Sequence, residues 1–181
     1  VSRALQWGAG VALIAAAWVV LAIAPPTDSR EAPFPVTIAV GETGVARTFE
    51  VTVDGVRRAR AATDGAWSAE ANWLVADLTA VATQRETGMS LFTIALDVDG
   101  DTYTASERPA SFREAWLAVG IPRSGSVAFE LPDDVDGGIA TLRIAQRVDT
   151  RLDSVVETRI DLGSLPVDDE TALRPSGWAT P

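Results

Sequence analysis

The chain has no histidine, no cysteine and no lysine, one methionine and one tyrosine. Each absence closes a class of chemistry. Without histidine there is no imidazole to act as a general base near neutral pH. Without cysteine there is no thiolate nucleophile and no disulfide, and with both missing there is no ordinary zinc or copper site. Without lysine there is neither a Schiff base nor a Ser-Lys dyad. Carboxylate chemistry remains, with 25 Asp plus Glu in 181 residues. All 15 basic residues are arginine and the net charge is −10, a usage expected of a GC-rich bacterial genome. All but one of those arginines lie beyond residue 26 with every acidic residue. An acidic domain of this kind is repelled by nucleic acid and by anionic lipid headgroups, so neither is expected as a direct partner of the domain.

Charge is missing altogether from Ala4 to Pro26. The run from Trp7 to Ala24 spans roughly 27 Å as a helix at about 1.5 Å per residue, the reach of a bilayer core. We therefore expect an N-terminal signal anchor over residues 1–26. Ala22-Ile23-Ala24 fits the small-x-small pattern of a cleaved signal peptide, but Pro25 in the next position opposes cleavage and the apolar run exceeds a signal-peptide core. Arg3 before the run, with Asp28, Arg30 and Glu31 after it, puts the N-terminus in the cytoplasm and the remainder outside. The expected partners are thus the membrane, crossed once, and another protein of the envelope; no cofactor is expected.

Residues 27–35, with Pro33 and Pro35, read as a stiff, solvated stalk. Over residues 36–163 the period is two. Leu74, Ala76, Leu78, Ala80 and Ala82 alternate with their neighbours, and so do Phe92, Ile94, Leu96 and Val98, as in strands with one buried face. Asp99-Gly100 between Val98 and Asp101 is a two-residue hairpin signal, because both turn residues need positive φ. Leu74 to Tyr103 therefore reads as a β-meander. Asp54-Gly55 offers another tight turn, residues 63–72 a loop carrying Trp67, and Ser106 to Ile121 one short helical turn through Phe112, Trp116 and Leu117. Trp73 and Trp116 are expected to pack in or cap the core. About eight strands in all predict an all-β fold, an immunoglobulin-like antiparallel β-sandwich. Residues 164–181, with Trp178, read as a flexible tail.

Three stretches, Trp73-Leu-Val-Ala-Asp-Leu-Thr-Ala80, Leu91 to Tyr103 and Gly125-Ser-Val-Ala-Phe-Glu-Leu-Pro132, together resemble the DUF4352 family. Its motifs are an alternating strand, a strand ending in an Asp-Gly turn followed by Tyr, and a Gly-x-x-x-Phe-x-x-Pro strand. The resemblance covers about Thr48 to Ile144. It implies a telokin-like, immunoglobulin-like sandwich of the kind found on secreted lipoproteins and membrane-anchored proteins of Gram-positive bacteria, and it brings no catalytic activity with it.

Candidate sites are few. Asp97, Asp99 and Asp101 alternate as calcium ligands do, but an EF-hand loop starting at Asp97 needs glycine sixth and glutamate twelfth, where Thr102 and Arg108 stand. Asp133, Asp134 and Asp136 would complete such a site only if the fold joined the two loops. Arg57, Arg58 and Arg60 form the one basic cluster, read as a solvated strand face or, with Trp67 and Trp178, as a partner-binding surface. A carboxylate-based glycan hydrolase would have to draw on Glu107, Glu114, Asp133 and Asp134. No catalytic residue is expected. A binding or scaffolding module is favoured over a small-ligand or metal sensor, and both over the enzyme.

Overall fold

In the computed structural model, residues 3–23, 31–84, 90–113 and 115–179 are described. The chain divides into two compact units, residues 1–32 and 33–181. The first holds one helix, α1 (Arg3–Ile23). Its 21 residues give a length of about 31 Å. Trp7, Val11, Leu13, Ile14 and Trp18 are exposed, and since no hydrogen-bonding or charged group other than the tryptophan indoles follows Gln6 in the helix, it is apolar around its circumference. Among the described residues, no helix is long and apolar enough to cross a membrane. Alanine and glycine occupy much of α1 and contribute little apolar surface each. The expected transmembrane span is thus met as a helix and not as a span. The expected cleavage point at Ala24 and the greater part of the expected stalk lie outside the described residues.

The second unit is a sandwich of two sheets. Its strands are β1 (Phe34–Ile38), β2 (Thr43–Val45), β3 (Phe49–Thr63), β4 (Ser68–Ala82), β5 (Thr93–Val98), β6 (Asp101–Thr104), β7 (Arg123–Leu131), β8 (Ile139–Ala145), β9 (Ser154–Asp161), β10 (Val167–Asp168), β11 (Thr171–Ala172) and β12 (Gly177–Trp178). One sheet runs β1-β9-β8-β5-β6; the other runs β10-β3-β4-β7-β12, with β2 and β11 also pairing β3. The inward residues of β4, from Leu74 to Ala82 at every second position, pack against Leu96, Val98, Leu142, Ile144, Val156 and Ile160 of the facing sheet. This alternation is the one read from the sequence.

The meander is corrected. β4 and β5 belong to different sheets, and the chain between them crosses from one layer to the other. Only the β5–β6 half is a true hairpin: Asp99 and Gly100 take φ of 50° and 95° and join Val98 to Asp101. Phe92 lies before that ladder and is exposed. The turn expected at Asp54-Gly55 is a β-bulge inside β3, where the register against β4 shifts between Val53 and Gly55. β4 itself begins at Ser68, so most of the expected loop is strand. Ser106 to Ile121 shows no helix among its described residues; it makes isolated bridges at Trp116, Ala118 and Ile121, with Phe112 and Leu117 buried.

The flexible tail is also corrected, as are two features of the expected sandwich. The pairing is not wholly antiparallel: β1 joins β9, and β10 and β11 join β3, in parallel. Strands also outnumber the expected eight. The additions come largely from residues 164–179, which lie across the outer face of the second sheet as a strap. Beneath it Trp73, Val75, Ala62, Ala128 and Leu173 form a second, smaller core. Gly125 lets the strap pass close, since a Cβ there would stand 3.0 Å from the Ser176 backbone. Burial on both faces explains why Trp73 to Ala76 is buried without a break, as in strands covered on two sides.

Candidate functional site

The basic cluster sits on β3, and alternation sends neighbouring arginines to opposite faces. Arg57 points outward under the strap. Its Nη1 meets Asp77 at 2.6 Å, its Nε donates to Thr171 Oγ1 at 2.6 Å and its Nη2 to the Ala172 carbonyl at 2.8 Å. Asp77 also accepts from the buried hydroxyl of Ser126, whose Oγ in turn accepts the Arg174 amide at 2.7 Å. Arg174 reaches Asp54 at 2.5 Å. These bonds pin the strap to the sheet.

Arg58 points inward and is 4 % exposed. Its guanidinium donates to the carbonyls of Val135 (2.9 Å), Asp136 (2.6 Å) and Leu162 (3.3 Å) and to Asn72 Oδ1 (3.1 Å). Asn72 Nδ2 returns bonds to the carbonyls of Pro132 and Val135, each at 2.8 Å. No carboxylate neutralises Arg58 among the described residues. Backbone carbonyl dipoles hold the charge instead, and in holding it they fix the 132–138 loop to the end of the sandwich. Neither arginine is therefore the solvated face or free docking patch that the sequence suggests.

Arg60 is the exposed member. A second bulge, between Ala59 and Ala61, re-aims the strand here, as bulges do. Arg60 lines a groove of about 630 Å³ with Arg58, Glu70, Asn72, Asp133 and Asp136. Both signs of charge meet there. The groove offers hydrogen-bonding and charged groups of both signs to a polar partner.

The remaining candidates disperse. Trp67 packs edge-on against Trp73, ring centroids 5.6 Å apart, as part of the strap-covered core. Trp178 is half exposed, edge-on to Trp116 at 6.0 Å, with the Arg123 guanidinium 5.1 Å from its ring. Trp116 itself is exposed at its bridge, not packed into the core. Asp97 bonds Thr102 Oγ1 at 2.5 Å and lies 3.5 Å from Arg143, away from the turn. Asp99 and Asp101 do meet Asp134 and Asp136, around a groove of about 490 Å³. Among the described residues, however, no three acidic side chains are placed to hold a metal ion, and the calcium set is not assembled. Glu107 pairs with Arg113 at 2.8 Å and lines a groove with Glu130, while Asp133 and Asp134 line two others. Glu114 lies outside the described residues.

Among the described residues, two carboxyl groups have lowered pKa values. Asp64 is held below its ordinary value by backbone amides of Ala110, Trp67 and Ala66, which donate to it. Asp149 is lowered to about 2 by the Arg151 side chain and amide. Sequence reasoning missed both the Arg58–Asn72 centre and the strap clamp. Asn72, the one polar amide at the start of β4, and the bulge are the signals that marked the first.

The described chain beyond residue 33 is thus a two-sheet β-sandwich. No family model matches the chain, and no curated protein is significantly similar to it. Among solved structures, the chain is similar to an uncharacterized β-sandwich protein from Clostridium difficile 630, at 11 % identity and a TM-score of 0.48, covering 74 % of this chain and 99 % of that one.

Proposed function

We propose that the chain is a single-pass, membrane-anchored module of the bacterial envelope, extracytoplasmic and non-catalytic, whose β-sandwich binds or scaffolds another envelope protein. The observation that carries the reading is the pairing of α1, apolar on all sides, with a separate acidic domain bearing a polar, mixed-charge groove. A helix apolar all round is stable when something apolar covers it, and lipid supplies that cover along the uncharged run from Ala4 to Pro26. The DUF4352-like motifs favour the same compartment. Within the groove, Arg60 and Glu70 are the groups proposed to meet the partner.

The test has two readouts in intact cells. The chain is expected to stay in the membrane fraction through alkaline carbonate extraction, with the sandwich cleaved by protease added outside. A photocrosslinker at Glu70 is expected to give one discrete adduct that Arg60→Glu abolishes. Extraction into the soluble fraction would overturn the anchor, and adducts unaffected by Arg60→Glu would overturn the groove.

A further inference from the structure

The two ends of the sandwich differ in chemistry. Register places Phe49, Ala82 and Arg123 together at one end of the second sheet, and Thr93, Ala145, Ser154 and Phe34 together at one end of the first. Thr48 bonds Gln146 at 2.7 Å and Arg47 meets Asp153 at 3.0 Å, so these are the same end of the domain. It is also the entry end of the sandwich, where β1 begins at Phe34. Here Phe92, Trp116, Ile121, Val148, Leu152 and Trp178 are all exposed, Val148 at 81 % and Leu152 at 58 %. Leu152 has a φ of 55°, a conformation that bulky residues seldom adopt; it holds the side chain outward at the tip of the β8–β9 loop. At this end Arg47, Arg123, Arg147 and Arg151 outnumber Asp149 and Asp153; Arg47 pairs with Asp153 and Arg151 with Asp149, which leaves Arg123 and Arg147 as the excess. At the opposite end, Asp64, Asp99, Asp101, Asp133, Asp134, Asp136 and Asp161 stand in or beside the loops 64–67, 98–101, 132–138 and 161–166 and outnumber Arg58 and Arg60 of β3, which face the same loops.

From this polarity we infer that the entry end docks on an anionic lipid surface, its apolar tips seated in the headgroup region and its arginines against lipid phosphates. Tryptophan favours that depth because its ring is amphipathic, and basic residues are drawn to an anionic leaflet. The acidic end is turned away by the same field. A protein partner at this end would need no such charge gradient along the whole domain. The inference deepens the membrane reading above, yet it does not require α1 to span.

The native absence of cysteine permits single-site spin labels in the full chain, reconstituted with lipid nanodiscs of phosphatidylglycerol and phosphatidylethanolamine. Labels at Val148→Cys, Asp134→Cys and Ala16→Cys report the entry end, the acidic end and the helix. Expected is a Val148 label shielded from a water-soluble relaxant and reached by oxygen, with the Asp134 label in water. Replacing phosphatidylglycerol by phosphatidylcholine, or making Arg147→Glu with Arg151→Glu, is expected to reduce the Val148 shielding severalfold. A Val148 label as wet as the Asp134 label overturns the inference, as does shielding indifferent to both changes, which would point to a protein contact. The Ala16 label separates the two claims: a wet Ala16 with a shielded Val148 sinks the anchor and leaves the docking, and the reverse sinks the docking alone.

Discussion

The sandwich has two apolar cores, built on different terms. The large one fills the space between the sheets and follows from alternation alone: Leu74, Ala76 and Leu78 face Leu96, Leu142 and Ile144. The small one lies on the outer face of β4, where Trp73 and Val75 would meet water if the strap did not cover them with Leu173. The first needs only strands in register. The second needs a particular segment, some 100 residues further along, held down by the bonds of Arg57 to Thr171 and Ala172 and by the Arg174–Asp54 pair. The difference shows how one strand can serve two layers.

The sharpest way to break this comparison is to hollow out each core in turn. Trp73→Ala and Leu96→Ala are both expected to cost several kcal/mol, about 3–5 for the tryptophan and about 2–5 for the leucine, since both are fully buried and truncation leaves a cavity. Chemical denaturation of the two variants checks it. Were Trp73→Ala to cost less than about 1 kcal/mol, the strap would be a loose cover and the second core not a core.

Arg58→Leu tests the polar centre that joins the two sheets at the acidic end. The variant removes a charge that desolvation disfavours, but it leaves the carbonyls of Val135, Asp136 and Leu162 and Asn72 Oδ1 without that donor. The second effect prevails, because each stranded buried acceptor costs on the order of 1 kcal/mol or more; a net loss of about 3 kcal/mol is expected. Hydrogen exchange is expected to speed up in residues 132–138 before the rest of the domain. A stable variant with unchanged exchange would show that the loop is held by other means.

What was legible in the sequence follows the same division. Period-two patterns placed the inner faces of β3, β4, β5, β7 and β8, and Asp99-Gly100 placed a hairpin, because in both cases the cause is local. The sheet to which each strand belongs is not local, so β4 and β5 read as neighbours when they lie in opposite layers. Residues 164–181 read as a tail because their strands are two residues long, too short for any periodicity; their order comes from β3 and β7. Arg57 and Arg58 read as one basic patch although alternation already implied opposite faces. The partners that make one a clamp and the other a buried centre are contributed by loops far off in the chain.

Smaller effects sharpen the picture of the inner core. Thr158 on β9 is 1 % exposed and its hydroxyl has no hydrogen-bond partner among the described residues. Thr158→Val keeps the shape and removes the stranded hydroxyl, so it is expected to stabilise the domain by about 1 kcal/mol, seen as a higher denaturation midpoint at constant slope. A lower midpoint would show that the hydroxyl is satisfied.

The smallest effect concerns acid. Asp64 ties the β3–β4 turn to the 106–112 segment through the amides of Ala66, Trp67 and Ala110 at 2.9, 2.8 and 2.7 Å. Its folded acidity constant lies below the ordinary 3.8, so folding favours the carboxylate. The stabilisation it gives is complete above the unfolded value and disappears as pH falls through the folded one. Asp149, lowered to about 2, behaves in the same sense. Asp64→Asn keeps an acceptor at the turn but no titrating group. Thermal midpoints at pH 6 are therefore expected to be higher for the native chain than for the variant, and the gap is expected to narrow as pH falls below the ordinary 3.8. Parallel curves across that window would mean that the amides bond the side chain without preferring its charged form, leaving the turn at the acidic end held by geometry alone.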